Sequence, residues 1–125
     1  MVRLLETARV DPDRVVLEIT EQTVLADLGS VRGHLEALRR RGYRLALDDF
    51  GDGFSSFHYL RHLPVDYVEF DGSLIRNLPN DVPAQKIVRA VAALIRDLGG
   101  AAIAEWVEDE ATLGVVRELG IEYAQ

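Results

Sequence analysis

The chain has 125 residues, no cysteine and a net charge of −7, with 21 acidic residues against 14 basic ones. This length predicts one globular domain, and no apolar run approaches the ~20 residues of a membrane span. The lack of cysteine excludes disulfides, cysteine zinc sites and thiol catalysis. The acidic balance argues against binding to a nucleic-acid polymer. Together these features predict a cytoplasmic domain without a membrane segment.

A helix–glycine–strand unit repeats along the chain. Each copy has apolar residues at helical spacing, then a glycine at the helix end, then a short apolar strand. Capping residues mark the helix starts: Asp27 or Ser30 for the first, and Asn80 or Asp81 for the second. The acidic run 108–110 favours the start of the third helix. We predict five strands, at residues 14–20, 43–49, 66–71, 101–105 and 121–125.

The alternation of strands and helices predicts an α/β fold, because parallel strands are joined by crossover helices. The strands are apolar on both faces, as at residues 45–47 and 101–104, which indicates that both sides of the sheet are covered. Residues 1–10 are predicted to be the tail of another helix. A single domain is expected, since the sequence contains no linker or low-complexity segment.

Nearly every predicted strand ends in acidic side chains at its carboxyl side. The carboxyl ends of parallel strands meet at one rim, where α/β folds bind their ligands, so residues far apart in the sequence converge there. The rim has no lysine, because the single lysine of the chain, Lys86, lies on a helix. The converging side chains are Glu18, Glu21, Asp48, Asp49, Glu69, Asp71, Glu105 and Glu108, with Gln125 closing the last strand.

Three arrangements would relieve the repulsion among these acids: some face solvent, some are protonated, or divalent cations bind. An oxygen-only ligand set suits Mg²⁺ or Mn²⁺, and two such cations ~3.5–4 Å apart serve phosphodiester hydrolysis. A single strand-end acid more often caps the next helix. For Asp48 and Asp49 together with Glu18 and Glu105, metal binding is the stronger interpretation.

Other motifs carry less functional information. Residues 49–56 form a glycine-rich loop, but its Asp-Phe-Gly lacks the other kinase signatures, and no Gly-Lys-Ser/Thr supports a phosphate loop. Trp106 is predicted to pack in the core or at the rim rather than to stack on a base. The histidines fall on helices away from the rim and are not predicted ligands; they are His34, His58 and His62.

Five ordered segments carry a family signature. Residues 17–21 (Leu-Glu-Ile-Thr-Glu) resemble an E-[IL]-T-E motif, and residues 47–60 resemble DDFG-x-G-[YF]-S-S. Residues 63–75 follow LP-x-D-x-[LI]-K-I-D-x-S, residues 103–108 follow A-E-G-V-E, and residues 123–125 match the start of A-Q-G-Y. Together they resemble the EAL-domain family, bacterial signal-transduction phosphodiesterases that hydrolyse cyclic di-GMP. The resemblance implies a TIM-type (β/α)₈ barrel.

The resemblance also implies a role for each rim residue. Glu21 would hold the loop of residues 49–56, and Asp71 takes the place of the aspartate in K-I-D. Glu108 and Gln125 would lie on the side of the metal-bound water. The implied reaction is in-line attack of that water on one phosphodiester of cyclic di-GMP, giving linear pGpG. The ligands of Mg²⁺ or Mn²⁺ would be Glu18, Asp48, Asp49 and Glu105.

Three departures from the family pattern argue against catalysis by this chain. The E-A-L motif of the family's first strand does not occur on a strand, since the letters E-A-L at residues 36–38 lie on a predicted helix. The asparagine of the family's second strand is also absent. The lysine of K-I-D is Glu69, which changes the local charge by two units and is expected to raise carboxylate pKa values or weaken phosphate binding. Trp106 in place of the usual glycine is a milder departure.

We therefore expect residues 1–125 to be part of an EAL domain, an incomplete barrel of about five parallel strands without the first two strands and the last one. The expected function is that of a cyclic-di-GMP-specific phosphodiesterase domain that is inactive as this chain. The alternative is a degenerate EAL module that binds cyclic di-GMP or a protein partner. Because the open edges of buried strands are apolar, we also expect a homo-oligomer.

Overall fold

A computed structural model describes residues 10–51 and 57–125, in which five strands alternate with helical segments. Of the helix tail predicted for residues 1–10, only Val10 lies within the described residues, and it is not helical. The strands are β1 (Val16–Thr20), β2 (Arg44–Phe50), β3 (Tyr67–Phe70), β4 (Ala101–Ala104) and β5 (Tyr123–Ala124). The helices are α1 (Glu21–Ala26), α2 (Leu28–Arg40), α3 (Gly72–Ile75), α4 (Val82–Asp97) and α5 (Glu110–Glu118), with 3₁₀ turns at Pro12–Arg14, Phe57–His62 and Leu78–Asn80.

The strands form one parallel sheet in the order β1-β2-β3-β4-β5. This arrangement confirms the predicted α/β class with five parallel strands. Four strands are shorter than predicted, namely β1, β3, β4 and β5. Asp66 and Glu122 lie just before β3 and β5, and their side chains accept backbone N–H groups of β2 and β4. Asp71, just after β3, caps α3.

Aspartates begin the three longest crossover helices. Asp27, Asp81 and Asp109 each accept the N–H of the residue three positions further on, at 3.3, 3.0 and 2.7 Å. Each aspartate thus satisfies one of the free N–H groups at the start of its helix. At the other end, Gly42 (φ 96°) and Gly120 (φ 83°) adopt the left-handed conformation that turns the chain into the next strand.

The apolar core fills the space between the sheet and its helices. Phe50 lies at its centre, with ring centroids 6.1 Å from Phe70 and 6.5 Å from Tyr59. Val88 of α4 and Ala102 of β4 are completely buried. In the part of the chain that the structure describes, no helix is long and apolar enough to cross a membrane. The buried strands hold the carboxyl end of the sheet, and the acids that follow them, in fixed positions.

Candidate functional site

Three carboxylates from adjacent strands meet at the carboxyl end of the sheet. Glu18 of β1, Asp48 of β2 and Glu69 of β3 each place a carboxylate oxygen within 4.8 Å of the other two. The strand register accounts for the first pair: Glu18 lies opposite Ala46, and Asp48 follows Ala46 by two residues on the same face of its strand. Topology thus brings together acids that are 51 residues apart in the sequence.

A second group forms beside the first and shares one residue with it. Asp48, Asp49 and Glu105 also have carboxylate oxygens within 4.8 Å of one another. Consecutive residues of a regular strand face opposite ways, but the β2–β3 register shifts between Leu47 and Phe50. Asp49 adopts a positive φ of 55°, and its N–H donates to Asp48 Oδ1 at 2.8 Å. This irregularity lets both aspartates face the same site.

Burial and acidic neighbours raise the pKa values of two members. Glu69 is only 2% exposed, and this desolvation, together with Asp48 and Glu18, raises its pKa to about 9. Desolvation and the charge of Asp48, followed by that of Asp49, raise the pKa of the half-buried Glu105 to about 7. Among the described residues, Glu69 Oε2 has no hydrogen-bond partner. The cluster is therefore stabilised by either protons or cations.

The ligands offered by the two groups fit a hard divalent cation. They are carboxylate oxygens from strand ends, and Mg²⁺ and Mn²⁺ bind such oxygens in preference to nitrogen or sulfur. Asp48 belongs to both groups and has two oxygens, so it can contact two cations at once. The four predicted ligands, Glu18, Asp48, Asp49 and Glu105, all lie in this cluster, and Glu69 lies there with them.

Glu21 lies behind the cluster, at the start of α1. It is 4% exposed, and its Oε2 accepts the N–H of Gly51 at 2.9 Å. Burial, with Glu21 nearby, raises the pKa of Tyr59 above its usual range. The bond to Gly51 reaches the glycine-rich loop, whose residues 52–56 lie outside the described range. The role of Glu21 in holding that loop stays a prediction.

Besides Glu21, two predicted acidic site residues join neither carboxylate group among the described residues. Asp71 accepts the N–H of Ser73 at 2.9 Å and also its hydroxyl, so this strand-end acid caps a helix. Glu108 is exposed on the segment before α5. Of the histidines, His34 and His62 also join neither group, and the side chain of His58 lies outside the described residues.

Gln125 contacts the site through its main chain. Its N–H donates to the carbonyl of Ala104 at 2.8 Å, and its carbonyl accepts the N–H of Val107 at the same distance. These two bonds bracket Glu105 and fix the turn that carries it. The side chain of Gln125 is exposed, and its predicted contact with a metal-bound water stays a prediction.

Trp106 is predicted to pack in the core or at the rim; the core alternative is wrong, and the residues that contact its indole were not predicted. Its indole is 54% exposed, lies against Gly72 and has the Arg76 guanidinium 4.8 Å from its ring centroid. Trp106 has a φ of 62°, a conformation that favours glycine. The glycine of the A-E-G-V-E pattern at this position was the signal that the backbone turns sharply beside Glu105.

The chain is similar to several known proteins. The chain is 40% identical over 111 residues to "Cyclic di-GMP phosphodiesterase PdeB" of Shewanella oneidensis, covering 89% of this chain and 13% of that protein. The solved structure "PaMucR Phosphodiesterase, c-di-GMP complex" superposes with a TM-score of 0.87 at 35% identity, over 96% of this chain. A Klebsiella pneumoniae BlrP1 structure, a manganese and cyclic-di-GMP complex, gives 0.88 at 34% identity, over 95% of this chain and 31% of BlrP1.

These matches define both the extent and the family of the chain. It spans 49% of the MucR chain in that structure and a smaller share of the other two proteins. The solved structures it matches are TIM-barrel-like, in agreement with the predicted fold. The family described as "EAL domain" matches residues 1–125. The chain therefore belongs to the EAL domain family.

Proposed function

We propose that the carboxylate cluster binds divalent cations and, through them, a phosphodiester of cyclic di-GMP. The observation that carries this proposal is the pair of carboxylate groups that share Asp48. The MucR and BlrP1 structures are described as cyclic-di-GMP complexes, the latter with manganese, which supports this class of ligand and cation. The proposed ligands of Mg²⁺ or Mn²⁺ are Glu18, Asp48, Asp49 and Glu105.

The chain's own residues position these ligands before a cation arrives. The irregular turn at Asp48 and Asp49 points both carboxylates at Glu105, and Gln125 fixes the turn that carries Glu105. Bound divalent cations supply a metal-activated water and stabilise the leaving oxygen of a phosphodiester. We propose that the exposed Glu108 faces the same side of the site as that water.

We further propose that this chain binds the dinucleotide without hydrolysing it. The family resemblance places a lysine at the position of Glu69, where an ammonium would offset the charge of the phosphate. Glu69 instead puts a buried carboxyl beside Glu18 and Asp48. Neither form of Glu69 supplies the positive charge of a lysine, because a carboxylate repels a phosphate oxygen and a protonated carboxyl is neutral. This substitution favours a degenerate binding module over a working enzyme.

A product assay combined with calorimetry tests this proposal. Wild-type chain incubated with cyclic di-GMP and Mn²⁺ or Mg²⁺ is expected to yield no pGpG by chromatography. Calorimetry in Mn²⁺ is expected to show dinucleotide binding that EDTA and Asp48→Asn abolish. Glu36→Gln, on α2 and outside both carboxylate groups, should bind like wild type. Formation of pGpG at enzymatic rates would contradict the non-hydrolytic part, and absence of heat at high micromolar dinucleotide would contradict binding.

A second copy of this chain is the partner that we propose for the edge of the sheet. Among the described strands, β1 pairs with β2 alone, and Val16 at this edge is 46% exposed. Exposed apolar edges favour association with another strand or chain. Light scattering at micromolar concentration is expected to give the mass of a dimer or larger oligomer, and Val16→Lys to shift it towards the monomer. A monomeric wild-type mass would contradict this assembly.

A further inference from the structure

Glu69 is a buried acid for which the proposed function has no positive use. It lies on the central strand β3, 2% exposed, and its Oε2 has no hydrogen-bond partner in the described part of the chain. A carboxylate oxygen of Glu69 lies within 4.8 Å of carboxylate oxygens of both Glu18 and Asp48. Buried polar atoms are almost always paired, so this group of acids calls for either a proton shared among the three carboxyls or a bound ion.

The geometry of this group favours a cation as that partner. Ionised carboxylates only accept hydrogen bonds, and one shared proton would still leave two negative charges among three carboxylates. A divalent cation takes oxygens from all three, and ligands at its usual distances lie roughly 3–5 Å from one another. The spacing within 4.8 Å observed for Glu18, Asp48 and Glu69 falls in that range.

We infer that Glu69 is a ligand of a divalent cation such as Mn²⁺, Mg²⁺ or Ca²⁺, in a site completed by Glu18 and Asp48. The family resemblance places a lysine here, with one positive charge. A carboxylate together with a divalent cation carries the same net charge, so the bound ion restores locally what the substitution removes. The inference rests on the cation-binding part of the proposed function, whose ligands Glu18 and Asp48 it shares, and adds Glu69 to them. It requires neither the dinucleotide nor its hydrolysis.

Manganese titration without dinucleotide tests the inference. Mn²⁺ is titrated into wild-type chain, Glu69→Gln, Glu69→Lys and Glu105→Gln, with calorimetry for affinity and electron paramagnetic resonance for the number of ions bound. Both Glu69 variants are expected to lose one Mn²⁺ or to bind it at least about tenfold more weakly. Glu105→Gln is expected to keep the ion at Glu69, and Glu36→Gln to match wild type throughout.

A measurement on the wild-type chain makes the test independent of variant folding. Substoichiometric Mn²⁺ is expected to broaden the side-chain carboxyl carbon signal of Glu69 in nuclear magnetic resonance. Unchanged Mn²⁺ number and affinity in both Glu69 variants, or a sharp Glu69 signal while that of Glu105 broadens, would overturn the inference. Loss of Mn²⁺ in Glu69→Gln without dinucleotide binding by wild type would uphold this inference and refute the proposed function. If wild type binds the dinucleotide and both Glu69 variants bind Mn²⁺ as wild type does, the proposed function stands and this inference is refuted.

Discussion

The two ends of the parallel sheet place carboxylates in opposite environments. At the amino end, Asp66 and Glu122 precede β3 and β5, and each accepts the N–H of the second residue of the preceding strand, Leu45 or Ala102, at 2.8 Å. Each also pairs with an arginine of a neighbouring helix, at 3.4 and 3.1 Å. Every one of these contacts supplies a donor to the carboxylate, so the amino end is built for stability.

At the carboxyl end, acids face other acids. Glu69 and Glu105 have raised pKa values because burial and carboxylate neighbours both oppose their ionisation. Both non-glycine residues with positive φ among the described ones, Asp49 and Trp106, also lie at this end. Strain and unpaired charge reduce stability and persist where a ligand uses them. One residue type therefore stabilises the fold at one end of the sheet and forms a cluster of carboxyl groups at the other.

The largest expected effect comes from breaking the amino end. Asp66→Ala removes the acceptor of the buried Leu45 N–H and the partner of Arg39. We expect the free energy of unfolding to fall by about 2 kcal/mol, since a buried donor is left unpaired. Urea denaturation measures this free energy. Glu122→Gln should lower it less, because the amide oxygen still accepts the N–H of Ala102. A loss below about 0.5 kcal/mol for Asp66→Ala, the range of ordinary surface substitutions, would contradict the comparison.

A substitution at the carboxyl end should act with the opposite sign. Glu69→Met replaces a buried carboxyl that lacks a donor with an apolar side chain of similar length. In EDTA we expect the free energy of unfolding to rise by about 1–2 kcal/mol, because the desolvation cost of a buried acid is removed. Urea denaturation again reports it, with Glu36→Met on α2 as the control. A less stable Glu69→Met would mean that the carboxyl already has a stabilising partner in the chain.

The pH dependence of stability should reveal the same end of the sheet. The folded pKa values of Glu69, about 9, and Glu105, about 7, exceed the ordinary value of 4.5, so the folded chain keeps protons that the unfolded chain releases. In EDTA, stability is expected to fall as pH rises from about 5 to 9. Urea midpoints across this range measure the slope. Glu69→Gln should flatten it above pH 7, and an unchanged slope in that variant would contradict the assignment.

The smallest expected effect concerns the turn beside Glu105. A Cβ added at Gly72 would lie 2.6 Å from a ring atom of Trp106, so Gly72→Ala must displace the indole. Trp106 is the single tryptophan of the chain, and its fluorescence is expected to shift to the red as it leaves Gly72 and Arg76. Gly114→Ala, where a Cβ meets nothing within 4 Å, should leave the spectrum unchanged. An unshifted spectrum in Gly72→Ala would place the indole elsewhere.

Much of the architecture followed from local sequence patterns. Helical spacing, capping or acidic residues before each long helix and a glycine after it predicted the elements and their parallel order, and the sheet confirms both. The structure selects Asp27 and Asp81 from the predicted capping alternatives. The same order predicts that Glu18, Asp48 and Glu105 lie at one rim. These features depend on residues close together in the chain, or on the direction of each strand, and both are visible in the sequence.

The tertiary structure decided which acids are paired and which are left facing one another. Asp71 and Asp66 resemble the other strand-end acids in sequence, yet Asp71 caps α3 and Asp66 binds Leu45. The burial of Glu69 and the irregular turn at Asp49 likewise depend on the neighbouring strands. Periodicity records which residues are apolar and where a strand ends. The partner of each carboxylate is contributed by distant parts of the chain, so only the packed fold determines its charge, its exposure and its use.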